Sequence, residues 1–184
     1  MKLNVSFEGI ASEGRNVKNS AVTVYLGGKK WLWIKKQQYI WEQMNLIIEI
    51  QPGFFCDKAT YPFLYRALSG ADKCGKSDAY SGLHDALYLC KGVLNYETKH
   101  VIAFEKYSGE QVSLTLSRKV CDMIAAEHME KYPEDFSKWQ IKQRYLGMRA
   151  GGGRYWRSEK KPLHTYFAPY AAKKVINDII YRDH

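Results

Sequence analysis

The chain changes its sequence pattern near residue 60, and this change constrains the fold more than any other feature. Before it, the β-prone runs AVTVYL and KKWLWI flank Gly27-Gly28, a dipeptide typical of a tight hairpin turn. The runs YIW and NLIIEI follow, and Pro52-Gly53 ends the second of them. The pattern predicts about three to five short antiparallel strands within the first 55 residues.

Beyond residue 61, apolar residues recur at helical spacing instead. The sequence predicts helices over four stretches, at about 78–91, 117–131, 133–148 and 169–181. The run RAGGGRYWR predicts a break after residue 148, because three glycines have no side chains to pack. The expected fold class is α+β, with a small N-terminal antiparallel sheet followed by a helical body of about three to four helices.

The length of 184 residues suits one compact domain. We predict a single α+β domain over residues 1–157, β-rich over 1–55 and helical over 61–148. Residues 158–184 are predicted to form a basic and aromatic extension that contains the last helix. No apolar run approaches the ~20 residues that span a bilayer, and the N-terminus lacks the apolar segment of a signal peptide. We therefore expect a soluble protein without a signal peptide.

The formal net charge is +9, and much of the excess lies in the last 55 residues. A basic balance suits nucleic acid, an anionic membrane surface or an acidic protein partner, and it is also typical of a solvated surface. No helix-turn-helix, zinc-finger or RNP pattern accompanies the charge, and the four cysteines form no C-x-x-C motif. The sequence therefore gives no support to a zinc ribbon and does not favour nucleic-acid binding.

The stretch SGLHDALYLC holds the residues with the most chemistry. On a helix, His84 and Tyr88 lie one turn apart on the same face, whereas Asp85 lies about 100° away. An imidazole at the edge of a core can act as a general base when a carboxylate orients its other ring nitrogen. The candidate carboxylates are Asp122, in RKVCDMIAAEHM, and Asp57, in QPGFFCDKATYP. We expect a His84 ring nitrogen within ~3 Å of one of them.

Each of these residues also has a purely structural interpretation. The His–Asp pair suits a solvated helix end, or a buried hydrogen-bonded network that fixes the packing of two helices. Asp57 suits an Asx-type turn or the cap of a short helix beginning at Pro62. The sequence leaves the catalytic and the structural interpretation open.

The order of these motifs resembles that of an uncharacterised family of bacteriophage and prophage proteins. The family pattern runs G-F-x-T-D-x-A-S-x-P, then H-D-x-L-Y, then an A-D-x-x-F-type helix and a G-x-x-x-W-like end. It covers about residues 39–157, and the chain departs from it at Cys56, Thr60 and Cys121. The family has no established activity, so the resemblance implies a phage context, with the virion or the host cytoplasm as the location.

A more remote resemblance is to secreted and parvoviral phospholipases A2, in which an H-D-x-x-Y helix precedes a helix that carries an Asp. It implies that His84 is the base that activates water, that Asp122 orients it and that Tyr88 supplies a supporting hydroxyl. It also implies that Asp85 is a calcium ligand, together with carbonyl oxygens of a glycine-rich loop. The stretch upstream of His84 has glycines but no G-x-G motif, and calcium is a candidate cofactor.

Three functions follow from these patterns as hypotheses. The first is a phage accessory or virion-associated protein, such as a tail component, whose buried His–Asp cluster is structural. The second is a hydrolase that acts on lipid or the cell envelope through a phospholipase A2-like dyad, with His84 as general base. The third is a binder of nucleic acid or of an anionic surface. We rank the accessory protein slightly ahead of the hydrolase.

The C-terminal part of the chain carries two aromatic–basic clusters that suit docking, because Tyr, Trp and Arg dominate interface energetics. The candidate interface residues are Arg154, Tyr155, Trp156, Arg157, Tyr166 and Phe167. The expected partner is another phage protein or a second copy of the chain. The alternative is that the tail folds back on its own body.

Overall fold

In a computed structural model of the chain, the described residues are 23–25, 31–56, 78–95, 100–133, 136–157, 166–168 and 173. The predicted α+β class is confirmed, because antiparallel sheets pack with α-helices. The elements in chain order are β1 Thr23–Tyr25, β2 Trp31–Trp33, β3 Gln37–Trp41, a 3-10 helix at Glu42–Met44, β4 Leu46–Ile50, β5 Phe54–Cys56, α1 Asp78–Leu89, β6 Val93–Leu94, β7 Val101–Glu105, β8 Gln111–Val112, β9 Leu114–Thr115, α2 Arg118–Glu130, α3 Lys138–Arg157 and β10 Tyr166–Phe167.

The described strands form three antiparallel sheets, with the orders β1-β2-β5-β10, β3-β4-β7-β8 and β6-β9. In the first sheet Thr23 pairs with Trp33, and Tyr25 pairs with Trp31. This pairing confirms the two strands of the predicted hairpin, although Gly27-Gly28 itself lies outside the described residues. The strands predicted from YIW and NLIIEI are also confirmed, as β3 and β4.

The second sheet extends into the part of the sequence that was expected to be helical. Strand β7 lies between α1 and α2 in the chain and pairs with β4, so that Ile48 lies opposite Ala103. Its run VIAFE is short and apolar, and such a run cannot be told from a piece of helix by periodicity alone. Pairing with β4 buries Val101 and Ala103 completely, which favours the strand. The order of sheet and then helices is therefore interrupted by β6–β9.

Helices α1 and α2 end close to their predicted bounds for identifiable reasons. After α1 the chain turns into the left-handed region at Lys91 and Gly92, and the Gly92 N–H donates to the Leu87 carbonyl at 2.9 Å. A Cβ at position 92 would lie 3.0 Å from the Leu116 carbonyl carbon, so only glycine fits this turn. Helix α2 begins after Ser117, whose hydroxyl accepts a hydrogen bond from the Val120 N–H.

Helix α3 differs from the prediction at both ends. It begins at Lys138 rather than near residue 133, because Ser137 and Gln140 form a reciprocal capping box. It then continues through Gly151–Gly153 to Arg157, so the predicted break in RAGGGRYWR is wrong. Gly152 is buried against Tyr88 of α1, and this close packing explains why the helix keeps a residue of low helix propensity.

The main core joins the sheets to α1 and α2. Trp33 of β2 lies edge-on to Phe54 of β5, with 5.3 Å between the ring centroids, and its other side meets α1 at Gly82. A Cβ on Gly82 would lie 2.6 Å from Cη2 of the Trp33 ring, so this glycine sets how closely the helix approaches the strand. The packing fixes α1, which carries His84, against the body of the protein.

Two further predictions concern residues outside the described part of the chain. The short helix at Pro62 lies there entirely, and of the helix predicted at 169–181 only Lys173 is described, in helical conformation. Within the described part, no helix combines the length and apolar character that crossing a bilayer requires.

Candidate functional site

The side chain at the centre of the site is Asp122 of α2, which has no exposed surface. Its Oδ1 atom lies 2.9 Å from His84 Nε2 and accepts a hydrogen bond from the Tyr88 hydroxyl at 2.6 Å. Its Oδ2 atom accepts a hydrogen bond from Arg149 Nη1 at 2.6 Å, which is also an ion pair. One buried carboxylate therefore joins three helices: α1, α2 and α3.

Helical spacing explains how these side chains meet. His84 and Tyr88 are four residues apart on α1, and their ring centroids are 4.1 Å apart. On α3, Arg149, Gly152 and Trp156 share one face, since they are three and four residues apart. Trp156 packs edge-on against Tyr88, with 5.1 Å between the centroids. Helix α3 thus completes the site by contacting both Tyr88 of α1 and Asp122 of α2.

The protonation states follow from these contacts. Burial alone would raise the pKa of Asp122, but hydrogen bonds from His84, Tyr88 and Arg149 outweigh it and lower that pKa, so the carboxyl group is ionised. An ionised carboxylate only accepts hydrogen bonds, so His84 Nε2 carries the proton that points at Asp122. The lone pair of the neutral ring is then on Nδ1. This is the arrangement that a general base needs.

The same contacts shift the pKa of two further groups. Burial lowers the pKa of His84, but the hydrogen bond to Asp122 and the negative charge of Asp85 outweigh it, so the pKa is raised. Burial and then the bond to Asp122 raise the pKa of Tyr88 far above its usual value, against an opposing effect of Arg118. Tyr88 is therefore a permanent hydrogen-bond donor to the carboxylate.

The second ring nitrogen of His84 lies beside Asp85, which is more exposed than Asp122. His84 Nδ1 lies 3.7 Å from Asp85 Oδ1, which is longer than a hydrogen bond. The His84 side chain is 13% exposed and that of Asp85 is 27% exposed. The carboxylate of Asp122 is sealed, whereas the imidazole that it orients keeps access to solvent.

The structure brings together three of the residues singled out in the sequence, His84, Tyr88 and Asp122. The predicted distance of ~3 Å between a His84 ring nitrogen and a carboxylate is confirmed for Asp122. The other candidate carboxylate, Asp57, lies outside the described residues.

Calcium would need several oxygen ligands, and Asp85 supplies one carboxylate. In the described part of the chain, no group of three or more His, Cys, Asp or Glu side chains could hold a metal ion. The glycine-containing stretch expected to add carbonyl oxygens lies outside the described residues. The described donors do not amount to a calcium site, and the chemistry below uses no metal.

Sequence reasoning missed Arg149 and Gly152 as parts of the site. In the sequence Arg149 is one of many basic residues near the C-terminus, although its spacing from Gly152 and Trp156 places all three on one helix face. This shared face can be recognised only if the helix is assumed to continue through Gly151–Gly153. Three consecutive glycines favour a break instead.

The candidate interface residues fall into two places. On α3, Arg154, Tyr155 and Arg157 are exposed, whereas Trp156 is partly buried in the site against Tyr88. Tyr166 and Phe167 form β10 and pair with β5, and the Ala168 N–H donates to the Gly53 carbonyl. For residues 166–168 this is the alternative in which the tail folds back on its own body. Docking on a partner remains a prediction.

Comparisons of the chain with protein-family models, with curated proteins and with solved structures find no match.

Proposed function

We propose that the protein is a hydrolase in which His84 acts as the general base and Asp122 orients it. The observation that carries the proposal is the 2.9 Å contact between His84 Nε2 and the buried Asp122 Oδ1. The contact fixes both the tautomer and the orientation of the ring, and it leaves the basic Nδ1 atom on the partly exposed side, next to Asp85.

In the proposed reaction, Nδ1 of neutral His84 removes a proton from a water molecule while the water oxygen bonds to a carbonyl carbon of the substrate. The ester C–O bond then breaks, and the imidazolium returns the proton to the leaving alkoxide, so that a carboxylic acid and an alcohol are released. Asp122 remains ionised throughout and stabilises the transient imidazolium. General base catalysis of this kind contributes about 10²–10⁴-fold to a rate.

The substrate in this proposal is an ester of a membrane lipid or of the cell envelope, and the setting is phage infection. The ester substrate is supported by the phospholipase A2-like order of the H-D-x-x-Y helix and the later Asp. The phage setting is supported by the motif order over about residues 39–157, which resembles that of the phage family.

A second candidate function is that of an accessory or virion-associated phage protein in which the same cluster is structural. The observation that favours it is the complete sealing of Asp122 by three donors, as a hydrogen-bonded knot between helices requires. Docking on other phage proteins would then be the function, and the exposed part of α3 around Tyr155 would be the surface.

The substitution His84→Gln separates the two candidates, because Gln keeps an N–H donor for Asp122 but has no basic nitrogen. We expect the wild type to release fatty acid from phosphatidylglycerol vesicles and the variant to be slower by at least ~100-fold, with an unchanged melting temperature. The assay is run with calcium and with a chelator, since Asp85 is the candidate ligand. Equal rates, with a variant less stable by ~1–3 kcal/mol, would support the structural candidate instead.

A further inference from the structure

Three arginines lie near the contact between α2 and α3, at Asp122 and at Gly153. Arg118 and Asp122 are four residues apart on α2, so their side chains lie on the same helix face. Arg149 and Arg157 come from α3, and Arg149 bonds to Asp122 as described above. The other two meet at Gly153, where Arg118 Cζ and Arg157 Nη2 lie 3.8 Å and 3.9 Å from the position that a Cβ would occupy.

Backbone carbonyls, rather than carboxylates, hold two of these guanidinium groups. Arg118 Nη1 donates to the Arg149 carbonyl at 3.0 Å, and Arg157 Nε donates to the Gly153 carbonyl at 3.3 Å. Over the described ranges, Asp122 is the only carboxylate within ion-pair distance of any of the three arginines, and it pairs with Arg149. The positive charges of Arg118 and Arg157 are therefore not neutralised by a described side chain.

This arrangement is unfavourable for the folded protein on its own, because like charges repel. Arg118 also lies in the first turn of α2, where the helix dipole disfavours a cation and where there is no acidic residue. A bound anion would offset both the repulsion between the arginines and the unfavourable interaction of Arg118 with the helix dipole. The guanidinium group suits this role, since its planar set of N–H donors matches the oxygens of a phosphate group.

The cluster is also accessible from solvent. The Arg149 side chain is 30% exposed, Arg157 is exposed and Arg118 is partly exposed. The contact with Asp122 uses one of the five N–H donors of Arg149, so the same guanidinium group can face a ligand. Because His84 and Arg149 bond to the two oxygens of one carboxylate, a group bound by Arg149 would be separated from the His84 ring by the Asp122 carboxylate alone.

We propose that Arg118, Arg149 and Arg157 form an anion subsite that binds a phosphate group of the substrate, across the Asp122 carboxylate from His84. This inference rests on the proposed function, and it adds that the substrate carries a negatively charged phosphate group. The binding of phosphate, however, does not require His84 to act as a base. The subsite can therefore be tested separately from the reaction.

The test is a calorimetric titration of the full chain with inorganic phosphate at low ionic strength. We expect Arg118→Gln and Arg157→Gln to weaken phosphate binding by about tenfold or more, because each removes a charge-assisted donor. Lys142→Gln is the matched control, since Lys142 is an exposed cation on α3 about three helical turns before Gly153. Its affinity for phosphate should equal that of the wild type. Arg157 is exposed, so its variant should fold even if Arg118→Gln does not.

The outcomes distinguish the subsite from the reaction and identify the source of the phosphate group. His84→Gln should bind phosphate as tightly as the wild type while losing hydrolysis. If the wild type binds phosphate but does not hydrolyse the ester, only the proposed function is contradicted. Binding of phosphatidylglycerol vesicles but not glycerol phosphate through the same arginines would assign the phosphate to a lipid headgroup, and binding of both would assign it to soluble esters as well. No phosphate binding by the wild type, or equal affinity in Arg157→Gln, overturns the inference.

Discussion

Gly152 of α3 lies so close to Tyr88 of α1 that a Cβ at position 152 would be 2.9 Å from Cζ of the tyrosine ring. The absence of a side chain lets α3 approach the hydrogen bond between Tyr88 and Asp122, and it brings Arg149, one turn earlier, to the other oxygen of the same carboxylate. Gly152 lowers the helix propensity of the sequence, but the close packing of α3 against Tyr88 requires a glycine at this position.

Gly152→Ala should destabilise the protein by ~1–3 kcal/mol, because the added methyl group must displace the Tyr88 ring. The neighbouring Gly151→Ala is the control, since nothing lies within 4 Å of its Cβ position. That change should stabilise the protein by about 0.5–1 kcal/mol through helix propensity. Urea denaturation of both variants measures the difference, and equal effects would contradict the close packing.

Asp122→Asn should destabilise the protein by ~1–3 kcal/mol at pH 7, because the buried group loses its charge and Arg149 loses its ion pair. The pKa of Asp122 is lowered in the folded state, so its contribution is fully present above the usual carboxyl pKa of 3.8 and is lost as pH falls through the folded-state pKa. Chemical denaturation at several pH values should therefore show the two proteins converging in acid. A difference in stability that does not change with pH would exclude an ionised Asp122.

Arg149→Gln should raise the pKa of His84 further, because Asp122 and Asp85 would then act on the ring without the nearby positive charge. If His84 is the base, the pH at which hydrolysis begins should move upwards by the same amount. Arg149→Lys keeps the charge and should shift the pH profile less. An unchanged profile in Arg149→Gln would show that Arg149 contributes to packing alone.

His128, a buried histidine outside the site, predicts a separate loss of stability in mild acid. Burial, and then the charge of Lys131, lower its pKa to about 4 in the folded state, whereas the unfolded chain takes up the proton near the usual 6.5. Between these values the unfolded state binds more protons, so stability should fall by ~3 kcal/mol as pH drops from 6.5 to 4. His128→Phe, which preserves the ring contacts with Tyr39 and Tyr132, should remove this slope in thermal melts.

Much of the site could be predicted from local spacing, and the rest depends on contacts between distant parts of the chain. The four-residue spacing of His84 and Tyr88 places them on one face, and Ser117 marks the start of α2. Strand β7 could not be recognised, because VIAFE becomes a strand only through pairing with β4. Arg149 could not be assigned either, since its partner is on another helix and the glycines of α3 favour a break until Tyr88 packs against them.

The most direct test of the central claim is to record the ring-nitrogen NMR signals of His84 as a function of pH, assigned by their loss in His84→Gln. We predict that the neutral ring carries its proton on Nε2, bonded to Asp122, and that the pKa of His84 lies above the usual 6.5. A neutral ring protonated on Nδ1, or a pKa below 6.5, would contradict the claim that Asp122 holds His84 as a base.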